Sequence, residues 1–215
     1  LSEYIRHTLT QKGESVWIAQ RNGRTKDGHD ATDQGMIKMF CMSDKSDLPR
    51  SVGELNIVPM AISYQIEPCD ILKTRELYLS QGGEKYVKQP DEDLNSILTG
   101  IMQPKGRVHL SLGNPITYEQ LPSGQRHANE FYKGVASLID KQIYAHYKLY
   151  DNNYIAHDMR SGTSTYADRY TLEAKKIFEE RCNAMLQQVE GDRDTLLNIF
   201  LGIYANPVDN APKRS

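Results

Sequence analysis

Cysteine is scarce: 215 residues carry three, Cys41, Cys69 and Cys182, odd in number and widely separated. Such spacing argues against a disulfide framework or a zinc-ligand cluster and for reduced thiols in a cytosolic compartment. An excess of one charge is lacking too. Lys and Arg total 26 against 28 Asp and Glu, a net charge of −2, so no basic field points to nucleic acid. No apolar run approaches the roughly 18 residues of a membrane span, and no signal-peptide pattern is present. Peripheral contact with a membrane is compatible with that absence. Internal repeats and low-complexity tracts are also missing. Asp27, His29, Asp30 and Asp33 lie close together but lack the alternating ligand spacing of a calcium loop, and read as a polar turn with Asp33 at a helix start.

What is present is concentrated near the start. The apolar run Val16-Trp17-Ile18-Ala19 ends abruptly in Gln20-Arg21-Asn22-Gly23-Arg24-Thr25-Lys26-Asp27-Gly28. Arg21, Arg24 and Lys26 place three cations within six residues. Strand ends feeding such loops are where α/β sheets bind ligands, and guanidinium forks with backbone N–H groups suit a phosphate. The pattern predicts a buried parallel strand at Val16–Ala19, then the loop, then a helix over Gln34–Met42 whose first N–H groups add to the anion site. The competing reading is a solvated basic loop.

Two later segments extend the pattern: Asn56-Ile57-Val58-Pro59-Met60 and Val108-His109-Leu110-Ser111-Leu112-Gly113-Asn114-Pro115-Ile116. In that order, the basic loop, the Val-Pro strand and the Gly-x-Pro-Ile strand resemble the glycerolipid acyltransferase superfamily, the glycerol-3-phosphate and lysophosphatidic acid acyltransferases. The resemblance covers residues 1–117. It implies a phosphate-binding loop at Arg21, Asn22, Gly23, Arg24, Thr25 and Lys26, with Pro59 as a wall of the acceptor site and Arg24 as the principal anion contact. It also implies an acyl thioester donor (acyl-CoA or acyl-carrier protein), a glycerol-phosphate or lysophospholipid acceptor, no cofactor, and a cytoplasmic enzyme peripheral on the inner face of the membrane. Where the family has an acidic loop residue this chain has Asn22, or Arg21 under a one-residue shift. The family's His-x-x-x-x-Asp general-base pair lies upstream of the loop, so the chain by itself is expected to bind phosphate without turnover. His146 and Asp151 share that spacing. However, His146 continues the helical series Phe131, Val135, Leu138 and Gln142, which reads as a core stripe.

Periodicity predicts helices over 2–12 (Tyr4, Ile5 and Leu9 inward), 70–80 and 91–102, the last two joined by a Gly82-Gly83 turn. Strands are predicted at 57–64, with Pro59 as a start or bulge, and at 108–112. The sequence therefore divides into an α/β domain at 1–117, a partial acyltransferase-like sheet with flanking helices, and a mostly helical region at 118–215. The second region holds helices near 125–149, 165–189 and 193–204. A polar loop at 151–165 and a frayed tail from Asn206 to Ser215, with Pro207, Pro212 and basic Lys213-Arg214, complete it. Two readings stand beside the acyltransferase: a non-catalytic phosphate- or head-group-binding module, and a helical interaction domain.

Overall fold

The computed structural model describes every residue except 22, 24, 82–85, 88, 125–126 and 213–215. Along the chain run α1 (Ser2–Thr10), α2 (Gln34–Phe40), α3 (Leu48–Gly53), β1 (Met60–Tyr64), α4 (Asp70–Ser80), α5 (Glu92–Met102), β2 (Val108–Leu112), α6 (Ala128–Ala145), α7 (Asp151–Ser161), α8 (Leu172–Leu186) and α9 (Arg193–Asn210). The fold is mixed α/β and mainly helical. Its two strands pair with each other. Gly113 N–H donates to the Pro59 carbonyl (2.8 Å) and Gln65 N–H to that of Arg107 (2.9 Å); one strand's numbers rise as the other's fall, so the pair is antiparallel. Among the described residues no helix is long and apolar enough to cross a membrane.

Two compact units are interleaved along the chain rather than consecutive. One comprises Leu1–Arg24, Asp30–Ala61 and Leu110–His146; the other comprises Thr25–His29, Ile62–His109 and Tyr147–Ser215.

In the first unit α2 packs on α6, burying Ile37 and Phe40 on one side and Phe131, Val135, Ile139 and Ile143 on the other. The buried stripe of α6 lies beside the predicted one, since Leu138 and Gln142 are only half-buried. Arg6 of α1 ties the unit together, donating to Glu54 (2.7 Å) and to the Ser51 carbonyl (2.8 Å). Of the residues expected inward on α1, Ile5 is buried, but Tyr4 is exposed and Ser2 and Thr8 take the inner positions. Ser2 Oγ finds the Phe40 carbonyl at 3.0 Å, which satisfies a hydroxyl that burial would otherwise leave costly. Helix α3, unforeseen, starts where Asp47 accepts from Arg50 N–H (3.0 Å) and Pro49 stands in the first turn.

The expected parallel strand at Val16–Ala19 is absent. Those residues carry no strand pairing, and Trp17 is 79% exposed. A strand exists only by hydrogen-bonding to a neighbour, and four apolar residues do not supply one. Strand β1 does begin just after Pro59, the residue with no ladder donor.

In the second unit α7, α8 and α9 enclose an apolar core of Ile155, Phe178, Leu186, Leu196, Phe200 and Tyr204. The Phe178 and Tyr204 rings meet edge to face, centroids 5.3 Å apart. Helix α7 replaces the predicted polar loop. Tyr150 N–H donates to the Asn153 side chain (2.8 Å) at its start, and Gly162 closes it in the left-handed region. Its polar inner residues are satisfied: Asn153 donates to the Tyr204 carbonyl (2.8 Å), and Asp158 accepts from Tyr166 N–H (3.0 Å) and Tyr170 O–H (2.9 Å). Helix α8 starts only at Leu172, after Thr171 caps Ala174 N–H (3.1 Å), and Ile177 points to solvent. Helix α9 continues through Asn206 and Pro207, where fraying was expected. The Gly82-Gly83 turn and Lys213-Arg214 lie outside the described residues.

Candidate functional site

The basic loop is closed at its neck. Asp33 N–H donates to the Gln20 carbonyl at 2.9 Å, so residues 21–32 form a loop whose ends meet, a geometry often given to function. Gly23 and Gly28 have φ of +77° and +80°, backbone that other residues rarely adopt. No described atom lies within 4 Å of where a Cβ on Gly23 would stand. Backbone at Gly23 is therefore approachable by a ligand. Arg21 is half-buried. Asn22 and Arg24 lie outside the described residues, and with them the expected proximity of Arg24 to Pro59. The Pro59 carbonyl is occupied by Gly113 N–H.

After the loop, within the first unit, the chain is fastened to α6. Thr32 donates through both N–H (2.8 Å) and Oγ1 (2.6 Å) to Asp140, and Tyr144 O–H donates to the Asp30 carbonyl. Burial raises the Asp140 carboxyl above its ordinary range, against the lowering by the two Thr32 bonds. The Tyr144 phenol, also desolvated, is pushed up to about 12. At the start of α2 Asp33 accepts from Gly35 N–H at 2.7 Å, so the cap's own carboxylate takes one of the helix's first N–H groups. That group, Gly35 N–H, is among those expected in the anion site.

In the second unit Thr25–His29 lies on α9 and α4. Lys26 Nζ pairs with Glu76 of α4, whose side chain is only 15% exposed. Asn206 donates to the Asp27 carbonyl at 2.6 Å, and Asn210 Nδ2 lies 3.5 Å from that of Gly28. Lys26, expected as a free cation, thus already holds a carboxylate. No sequence signal links it to a partner fifty residues on.

A separate charged cluster lies on the same unit's inner side. Asp70, fully buried, accepts from Arg181 (2.9 Å) and from Tyr204 O–H (2.6 Å). Burial, with the Asp70 charge adding to it, holds the Tyr204 phenol well above its ordinary value. Asp70 is thereby paired and hydrogen-bonded, which is how a folded chain keeps a charge inside, while Arg181 Nε is buried with no hydrogen-bond partner among the described residues. Burial likewise pushes the Cys182 thiol up to about 11 and raises that of Cys41, so neither is a ready thiolate nucleophile.

His146 and Asp151 have separate engagements. His146 caps α6 with Nδ1 at 2.7 Å from the Gln142 carbonyl, while Asp151 opens α7 and accepts from Arg107 at 3.5 Å. Among the described residues no group of three or more His, Cys, Asp or Glu could hold a metal ion. Comparison with known proteins finds no matching family model, no matching curated protein and no matching solved structure.

Proposed function

We propose that the chain is the acceptor-phosphate side of an acyltransferase of phospholipid biosynthesis, which moves an acyl group from an acyl thioester to a glycerol-phosphate type acceptor. The reading is carried by the loop at 21–26. In sequence, three cations flank Gly23, a positive-φ glycine with no described atom against its outer side, and the loop is closed at its neck. Arg21 and Arg24 neutralise the phosphate with planar forks, Gly23 lets its backbone come close, and Thr25 adds a hydroxyl. The acceptor hydroxyl attacks the thioester carbonyl, and the thiol leaves with the proton that the base removes. His146 and Asp151 are committed elsewhere, so the base in this reading is the family's upstream histidine.

One observation favours a second reading, a non-catalytic module for phosphate or lipid head groups: the Lys26–Glu76 pair lowers the loop's net positive charge. Calorimetric titration with glycerol 3-phosphate tests the shared premise. Arg24→Ala should weaken binding by about 1.5–3 kcal/mol, the range for a hydrogen bond to a charged group, and Arg24→Lys should also weaken it. Unchanged affinity in both overturns the assignment. Thioester consumption by the chain extended upstream, with a lysophosphatidic or glycerol-phosphate acceptor, separates the two readings: turnover marks the enzyme, binding without turnover the module.

A further inference from the structure

Helix α9 contains Pro207 in its last turn. Proline has the largest helix-interior penalty of any residue, because it lacks the N–H that would bond the carbonyl four residues earlier. Here that carbonyl belongs to Ile203. Against it lies Gly28 of the basic loop. A Cβ on Gly28 would stand 2.5 Å from the Ile203 oxygen and 3.2 Å from Pro207 Cδ, and the φ of +80° independently favours glycine.

Asn206 is buried beside this contact and faces two ways. Its oxygen accepts from Arg160 of α7 at 2.6 Å, and its nitrogen donates to the Asp27 carbonyl at 2.6 Å. Asn210 Oδ1 lies 3.4 Å from His29 Nδ1. Positions 203, 206, 207 and 210 follow the i, i+3, i+4, i+7 spacing of a single helix face. One stripe of α9 is therefore shaped for this loop, polar where the loop is polar and stripped of a backbone bond where the glycine comes close.

The geometry points to α9 as the seat of the anion loop's segment Thr25–His29, with Asn206 and Gly28 as positioning residues that set how Thr25 and Lys26 are presented to a phosphate. This inference rests on the phosphate-binding reading above. Fixing the backbone at 27 and 28 fixes the direction in which Lys26 leaves it, so the seat acts on affinity without touching the ligand.

The test uses the full chain, glycerol 3-phosphate as ligand, and two readouts: calorimetric affinity and amide hydrogen exchange over 25–29. Asn206→Asp keeps the acceptor for Arg160 but replaces the donor to Asp27 by an acceptor. Gly28→Ala leaves every bond within α9 in place, so it tests the seat even if the first variant folds poorly. If either variant reduces the seated fraction to a tenth, affinity falls about tenfold, since apparent affinity scales with the competent population. Loop exchange should quicken in both variants, and saturating ligand should restore protection, because coupling between ligand and loop is reciprocal. A purely structural contact would not show that restoration. Wild-type affinity in both variants, or protection that ligand fails to restore, overturns the inference alone. If the unaltered chain does not bind glycerol 3-phosphate, the proposed function falls and this inference with it.

Discussion

Helices α5 and α9 belong to one unit and are used in opposite ways. On α5, Leu94, Ile97, Leu98 and Ile101 make a regular apolar stripe, yet none is buried and each is more than half exposed. On α9 the corresponding spacing at 203, 206, 207 and 210 carries two asparagines and a proline, and a loop lies on it. The apolar residues of α9 face a core that buries Phe200 completely. An amphipathic period identifies a face; it does not say whether anything covers it. The interaction-domain reading gains nothing from α9, whose apolar residues are covered within their own unit.

The largest test of this contrast is truncation on each helix. Phe200→Ala should cost about 3–5 kcal/mol, for lost transfer energy plus a cavity under α8. Ile97→Ala on α5 should stay within about 0.5 kcal/mol, as for an exposed surface position. Urea unfolding measures both. A large loss at Ile97 would mean that α5 is covered in the folded protein.

Next in size is the charged cluster beneath α9. Asp70→Ala strands the Arg181 guanidinium and the Tyr204 hydroxyl, and should cost about 3 kcal/mol, toward the low end for breaking a buried pair because Arg181 is partly exposed. Alkaline pH probes the same core. The Cys182 thiol ionises near its ordinary 9.0 when unfolded but only at about 11 when folded. The folded state then holds the extra proton, so stability is intact below pH 9 and declines as pH rises toward 11. Tyr204, raised well above its ordinary value of 10.0, extends the decline beyond pH 10. Urea midpoints across this range should fall for the unaltered protein, and Tyr204→Phe should flatten the upper part. A midpoint independent of pH would show that these groups are wetter than their burial here.

Elements whose signal is local were legible in the sequence. Helix α4 and strand β2 fall where the pattern put them, because an apolar period and flanking turn residues are enough to define them. Helix α7 was not legible. Its inner face is built from Asn153 and Asp158 as much as from Ile155, and the groups that satisfy these polar residues lie 51 residues away at Tyr204 and across a turn at Tyr166 and Tyr170. The strand at Val16–Ala19 was read from composition, but a strand is a property of two segments. The candidate site divides in the same way. Its cations and glycines are visible in a row of letters, whereas the seat on α9 requires residues about 180 positions apart to meet. Pro207 was the available clue, and fraying was the simpler reading of a proline near a chain end.

The smallest expected effect concerns the other contact of the same loop. Lys26 reaches solvent, with 41% of its side chain exposed, while Glu76 is mostly covered. Such a pair contributes little to stability, typically below about 1 kcal/mol, since a partly exposed ammonium is well hydrated without it. Its weight is on binding: a phosphate must share the ammonium with a carboxylate that repels it. Glu76→Gln keeps the side-chain shape and an acceptor oxygen but removes that charge. Affinity for glycerol 3-phosphate should rise, by no more than about fivefold given the strength of such pairs, and the gain should shrink as salt screens the loop. Calorimetry at two ionic strengths reads both effects. Weaker binding in Glu76→Gln would reverse the argument, making Glu76 a brace that holds Lys26 toward the ligand instead of a competitor for its charge.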